Sequence, residues 1–131
     1  MFNNAINAYQ TIQNEGLSDR ETEARVLTQA ARRLIICQRE WAQPNLRERL
    51  GDALQYNQRI WTIFQTEMLE ETNPLPLEIK RNILKLSQMV DRRTMDTLTE
   101  PEPEKLDLLI RINENVAAGL RGSVTGPVGQ F

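Results

Sequence analysis

Few residues of this chain can do acid–base, nucleophilic or metal chemistry. Its 131 residues include no histidine and one cysteine, Cys37. Ser-His-Asp and Cys-His catalysis need an imidazole base, and a structural zinc site needs four Cys or His ligands. One cysteine cannot close a disulfide within the chain, which fits a reducing compartment. A carboxylate-bridged di-metal centre in a helical bundle uses Glu-x-x-His twice, and the chain has no such pair. Neither an EF-hand loop nor a phosphate-cradling glycine loop is present, because the six glycines are scattered. Carboxylates do recur at helical spacing, Glu67 with Glu71 and Glu100 with Glu104. An acid/base pair requires surroundings that push two pKa values apart, and these pairs are expected at solvated helix ends or in a connector. The expectation is a protein that is not an enzyme and holds no cofactor or metal.

The remaining polar and aromatic residues suggest binding rather than reaction. Sixteen Lys and Arg face eighteen Asp and Glu, a formal net charge of -2. A phosphate-reading surface shows a clear basic excess, so direct nucleic-acid binding is disfavoured. The bases nevertheless cluster, as Arg32, Arg33 and Arg39 and again as Lys80, Arg81, Lys85, Arg92 and Arg93. Cys37 falls on an apolar face and is expected to be buried and inert. Activation would need a half-exposed basic setting, and Arg33 lies one turn away. Trp41, Tyr56 and Trp61 are the large aromatic anchors, and Trp61 fits either a core or an interface. Asn57 and Asn113 interrupt apolar stripes. A buried Asn can fix register in a helical assembly or cap a partner's backbone, and an Asn at the stripe edge simply meets solvent.

The elements that must position these residues are helical throughout. Apolar residues recur at three and four positions, and no alternating strand pattern or hairpin dipeptide appears. Residues 4–14 predict a short polar helix closed by Gly16. Ser18-Asp19-Arg20-Glu21 forms a capping box for a helix over 18–43, stopped by Pro44, with Leu27, Ala31, Leu34, Ile35 and Trp41 as its apolar line. Asn45-Leu46-Arg47-Glu48 repeats that cap for a helix over 45–71, whose face carries Leu46, Leu50, Leu54, Trp61, Phe64 and Met68. Gly51 costs this helix on the order of 1 kcal/mol relative to Ala, and close approach of another backbone is one reason to keep it. Asn73-Pro74-Leu75-Pro76 is the firmest break, since Leu75 precedes a proline and Pro76 suits a first helical turn. A helix over 76–98 follows, with Ile79, Ile83, Leu86 and Val90 in its stripe and Leu84 and Met89 beside it. After the acidic, proline-rich connector around Pro101 and Pro103, a last helix over 104–120 carries Leu106, Leu109, Ile110, Val116 and Leu120.

The fold class is therefore all-α: a small antiparallel bundle of four main helices with a short N-terminal helix. Residues 1–122 form one helical domain, and 123–131 form a flexible tail. The longest apolar run, Leu34-Ile35-Ile36-Cys37, is far short of the roughly 20 residues of a membrane span. The first residues lack a signal-peptide pattern. A cytoplasmic protein is expected.

Several short motifs narrow this further. Asn7-Ala8-Tyr9-Gln10, Asn57-x-x-x-Trp61, Asn73-Pro74-Leu75-Pro76, Ile110-x-Ile112-Asn113 and Gly119-Leu120-Arg121-Gly122 follow in this order over about residues 5 to 122. Their order and spacing resemble the FlaF family of flagellar biosynthesis regulators. The resemblance implies a role in flagellum assembly, with flagellin bound in the cytoplasm by a secretion chaperone that also regulates flagellin production beside the regulator FlbT. It marks Tyr9, Asn57, Trp61, Pro74, Leu75, Asn113 and Gly119 as candidate partner-binding positions. The alternative is a post-transcriptional regulator acting through RNA or a partner regulator, motivated by the basic cluster from Lys80 to Arg93. A third reading is a homodimer pairing through Trp-bearing faces.

Overall fold

The computed structural model describes residues 20–122, which form four α-helices and one 3-10 turn, with no strand among the described residues. They are α1 (Arg20–Arg39), α2 (Leu46–Met68), α3 (Leu77–Thr99) and α4 (Leu106–Gly122), with the 3-10 turn at Pro103–Lys105 leading into α4. The expected N-terminal helix, Ser18 of the capping box, Tyr9 and the tail from 123 lie outside the described residues. Glu21, expected to reach back to Ser18, has its carboxylate 3.4 Å from Arg121 on α4.

Where the helices end departs from the periodicity for identifiable reasons. The first helix stops at Arg39, short of Gln43, and Trp41 sits half-buried in the following loop. A helix continued to Pro44 would drive the proline ring into the carbonyl of Glu40. That carbonyl instead accepts from Arg49 Nη2 at 2.9 Å, while Arg49 Nη1 donates to Glu40 Oε1 at 2.9 Å. Asn45 does not cap α2 with its side chain as expected. It lies in the left-handed region at φ 63°, and its carbonyl accepts from Arg49 N. Asn tolerates that conformation better than most residues, which lets a six-residue loop connect α1 to α2.

The second helix ends at Met68, three residues before Glu71. Asn73 accounts for the stop. Its Nδ2 donates to the carbonyl of Glu67 at 3.1 Å, and its Oδ1 accepts from Leu75 N at 3.0 Å. One amide thus adds a second donor to the Glu67 carbonyl, which also accepts from Glu70 N at 3.2 Å, and closes an Asx turn. Leu75 is buried by that turn, while Pro74 and Pro76 are exposed. At the other end of α3, Lys105 Nζ donates to the carbonyl of Glu100 at 2.7 Å. The 3-10 turn then delays α4 to Leu106, two residues after the expected start.

The core draws on all four helices, with Leu27, Leu34, Leu54, Val90, Leu106 and Leu109 fully buried. The first helix packs against both α2 and α4, while α3 rests on α2 and touches α4 only lightly. The inner face of α3 is also half polar. Beside Ile79, Ile83 and Val90 it buries Ser87, Thr94 and Thr97, and the two threonine hydroxyls donate back to Val90 and Arg93 carbonyls at 2.7 Å. Such bonds satisfy the hydroxyl within its own helix and contribute nothing to docking. Met89, expected beside the apolar stripe, is exposed. Gly51 has no close neighbour: a Cβ added there meets nothing within 4 Å, so backbone approach does not explain it.

Candidate functional site

Three of the motif residues meet in the middle of the protein. Trp61 Nε1 donates to Asn113 Oδ1 at 2.9 Å. Asn113 Nδ2 donates to Asn57 Oδ1 at 2.6 Å and to the Leu27 carbonyl at 3.3 Å. All three side chains are 0% exposed. The spacing explains the meeting, since Asn57 and Trp61 are four apart on α2 and so lie on one face. The network joins α1, α2 and α4 through groups that leave only Asn57 Nδ2 without an acceptor. Trp61 packs edge-on to Phe64, with ring centroids 6.1 Å apart. As they sit, these side chains touch each other and the core. Leu75 is buried in the Asx turn, Pro74 is exposed next to it, and Gly119 is half-buried on α4.

A second polar cluster was not found by reading carboxylate spacing. Glu67 is fully buried, and Glu71 is exposed and does not join it. The partner is Glu23 of α1, itself buried and paired with Arg20 at 2.8 Å. Burial, and then the charges of Glu23 and Glu70, push the Glu67 carboxyl up to about 8, with Arg20 opposing. Taken as ionised, neither Glu67 oxygen has a donor. Protonated, Glu67 donates to the Glu23 carboxylate, the hydrogen bond that holds the proton on. A signal was present in the sequence: Glu23 lies four residues before Leu27 and Glu67 three after Phe64, so both continue apolar stripes.

The cysteine is buried, and its surroundings favour the protonated thiol. Burial raises the Cys37 thiol above its ordinary range, Arg49 opposes, and Glu40 and Asp52 add to the rise. The thiol lies 3.5 Å from the Arg49 carbonyl. Arg33, the expected activating cation, instead lies over the Tyr56 ring at 4.1 Å. No group of three or more Cys, His, Asp or Glu is placed to hold a metal among the described residues.

The exposed surface is most unusual on α3. Among the described residues six large apolar side chains are exposed, and four belong to this helix: Leu77 at 62%, Met89 at 42%, Met95 at 57% and Leu98 at 45%. The same helix exposes Arg81, Lys85 and Arg92. No helix among the described residues is long and apolar enough to cross a membrane.

Residues 20–122 are thus helical, with a buried polar network in the core and most of the exposed large apolar side chains on one helix. The family described as "Flagellar protein FlaF" matches this chain over residues 5–120. The chain belongs to that family. No curated protein and no solved structure matches it.

Proposed function

We propose that this protein is a cytoplasmic flagellin-binding chaperone that works by binding rather than catalysis and, beside the regulator FlbT, adjusts flagellin production. One observation carries the reading: on a chain of a flagellar family, the exposed large apolar side chains gather on one helix. Large apolar side chains left in solvent along one helix suit recognition of a partner through spaced anchors, and exposed methionines suit a surface that must adapt to its client. The antiparallel bundle belongs to this reading. It is supported by Cys37 meeting Arg49 and Gln29 meeting Tyr56 between α1 and α2, and by Gln38 meeting Asp107 and Thr28 meeting Arg121 between α1 and α4.

Mixing the protein with monomeric flagellin at tens of micromolar, roughly tenfold above a micromolar dissociation constant, yields a complex in size-exclusion chromatography with light scattering. Two separate species would reject the chaperone reading. The second reading, an RNA-directed regulator, is favoured by the exposed cations Arg81, Lys85 and Arg92. Its mark is binding to the flagellin message that weakens steeply with salt. Absence of RNA binding in low salt removes it.

A further inference from the structure

Along α3 the residues 77, 81, 85, 88, 92, 95 and 99 advance in steps of three and four, and every one of them is exposed. Such steps keep side chains on one face. In order they read Leu, Arg, Lys, Gln, Arg, Met, Thr, so two apolar residues bracket three cations and no acid interrupts them. Of the acids on this helix, Glu78 is exposed beside Leu77, and Asp91 and Asp96 are engaged elsewhere. Asp96 lies 3.4 Å from Lys105, and Asp91 accepts from Gln65 at 3.5 Å. No ion pair involves Arg81, Lys85 or Arg92 among the described residues. Met89 flanks the stripe, and two open depressions of about 590 and 470 Å³ lie along it, the first against Leu77, Arg81 and Lys85 with Glu78 at its edge, the second against Met89, Arg92, Arg93 and Leu108 with Asp96, so cations outnumber acids in each by two to one.

We propose that this outward face of α3 docks an amphipathic helix of the flagellin client, one that carries acidic side chains beside its apolar stripe. The inference rests on the chaperone reading and assigns its surface. Charge complementarity selects the occupant: three unpaired cations between Leu77 and Met95 call for carboxylates between two apolar anchors. Helix-in-groove recognition uses such anchors at helical spacing. Single-stranded RNA would be held by stacking on exposed aromatic rings, whereas Tyr56, Trp61 and Phe64 are buried and the stripe has no aromatic residue. The first helix supplies a matched control. Arg25, Arg32 and Arg39 are also exposed, seven residues apart, with Ile36 the one large apolar side chain exposed beside them.

The test compares R81E/K85E/R92E with R25E/R32E/R39E, the same charge change on two faces, in binding to purified monomeric flagellin. The α3 variant binds at least about tenfold more weakly, while the α1 variant stays within about twofold, because only the first inverts complementary contacts. Oxidative footprinting of the wild-type complex protects Met89 and Met95, with buried Met68 as the internal reference. If the wild-type complex forms but Met89 and Met95 oxidise as in the free protein, the docking face is elsewhere. Equal losses in both variants mean bulk electrostatics and also overturn the assignment. Loss of RNA binding in the α3 variant with flagellin binding intact gives the face to RNA instead. A wild-type protein that forms no complex with flagellin overturns the chaperone reading, and the assignment of its surface with it.

Discussion

The buried Glu67 carboxyl makes stability depend on pH in a way that one substitution removes. Its folded-state pKa is raised to about 8 from an ordinary value of 4.5. Between those values the folded protein holds a proton that the unfolded chain has released, so stability is greatest below the lower value and falls as pH rises through the upper one. Each pH unit in that window is worth about 1.4 kcal/mol for one proton. Going from pH 5 to pH 7 therefore costs the wild-type protein about 2–3 kcal/mol from this group alone. For a chain of this size that corresponds to a fall in Tm of roughly 7–11 °C. Glu67→Gln keeps the shape of the neutral acid, keeps a donor for the Glu23 carboxylate and cannot ionise.

Urea unfolding of both proteins at half-unit steps from pH 4.5 to 8.5 gives the comparison. The two curves converge near pH 5 and separate as pH rises, with the Gln variant the more stable by about 2 kcal/mol or more at pH 7. Glu23→Gln supplies the second arm. It removes the larger of the two charges that raise the Glu67 pKa, so Glu67 titrates lower in the folded protein and the decline with pH levels off sooner and is smaller in total. Parallel profiles for wild type and Glu67→Gln across the whole range would refute the reasoning, since they would mean that Glu67 titrates alike in both states.

Other substitutions test the core and the turns. Trp61→Ala lowers unfolding free energy by about 3–5 kcal/mol, as expected for a buried aromatic ring, and Trp61→Phe by about 1–3 kcal/mol because Asn113 Oδ1 loses its donor. A Phe variant as stable as wild type in denaturant unfolding would remove the network from the account. Gly51→Ala raises stability by up to about 1 kcal/mol, since the helix gains propensity and the added Cβ meets nothing within 4 Å; a lower Tm would contradict this. Asn73→Ala loses both its bonds and lowers stability by about 1–3 kcal/mol, while Pro74→Ala, at an exposed position, stays within about 1 kcal/mol of wild type in the same assay.

The helices were legible because burial follows a period near 3.6, and each expected helix within residues 20–122 is present. The ends were less legible, because they depend on partners distant in sequence. Nothing near Glu40 announces that Arg49 will take its carbonyl, and nothing in Asn45 distinguishes a side-chain cap from a left-handed turn. The Asn73 break was visible through its prolines, but its double hydrogen bond emerges only once Glu67 and Leu75 are placed. The carboxylates misled in an instructive way. Glu67 and Glu71 share a helical spacing, yet four residues on one helix say nothing about which of them faces the core. The stripe through Phe64 and Met68 passes both positions, and what separates them is that the helix ends at Met68, which leaves Glu67 on the core face and Glu71 beyond it. The face of α3 was half legible: its bases stood out, while the exposure of Met89 and Met95 required knowing that Ser87, Thr94 and Thr97 fill the inner side.

That inner side connects the scaffold to the binding reading. Of the motif residues within the described chain, Asn57, Trp61, Leu75 and Asn113 are buried, and Asn73 is spent on the turn that starts α3. These positions fix how α1, α2 and α4 lock together and where α3 begins. They carry no surface that a client could touch without opening the core. A residue pattern that identifies the family therefore reports the fold first. Substituting those positions changes stability, and any loss of binding follows from loss of structure. On the proposed reading, client contact falls instead to exposed residues, chiefly those of α3, with Pro74 the exposed member of the motif set. The polar inner face of α3 gains less from burial than a fully apolar one, its two threonine hydroxyls bond within the helix, and the Ser87 hydroxyl is buried without a partner. Its apolar side chains are consequently divided between core and surface. A helix with both faces partly apolar is stabilised further when a client covers the outer one, so binding and the ordering of α3 are coupled. Hydrogen exchange then separates the two kinds of residue: flagellin binding slows exchange along α3 more than along α1. Equal slowing of all four helices would mean that the client stabilises the protein as a whole and that α3 holds no special place.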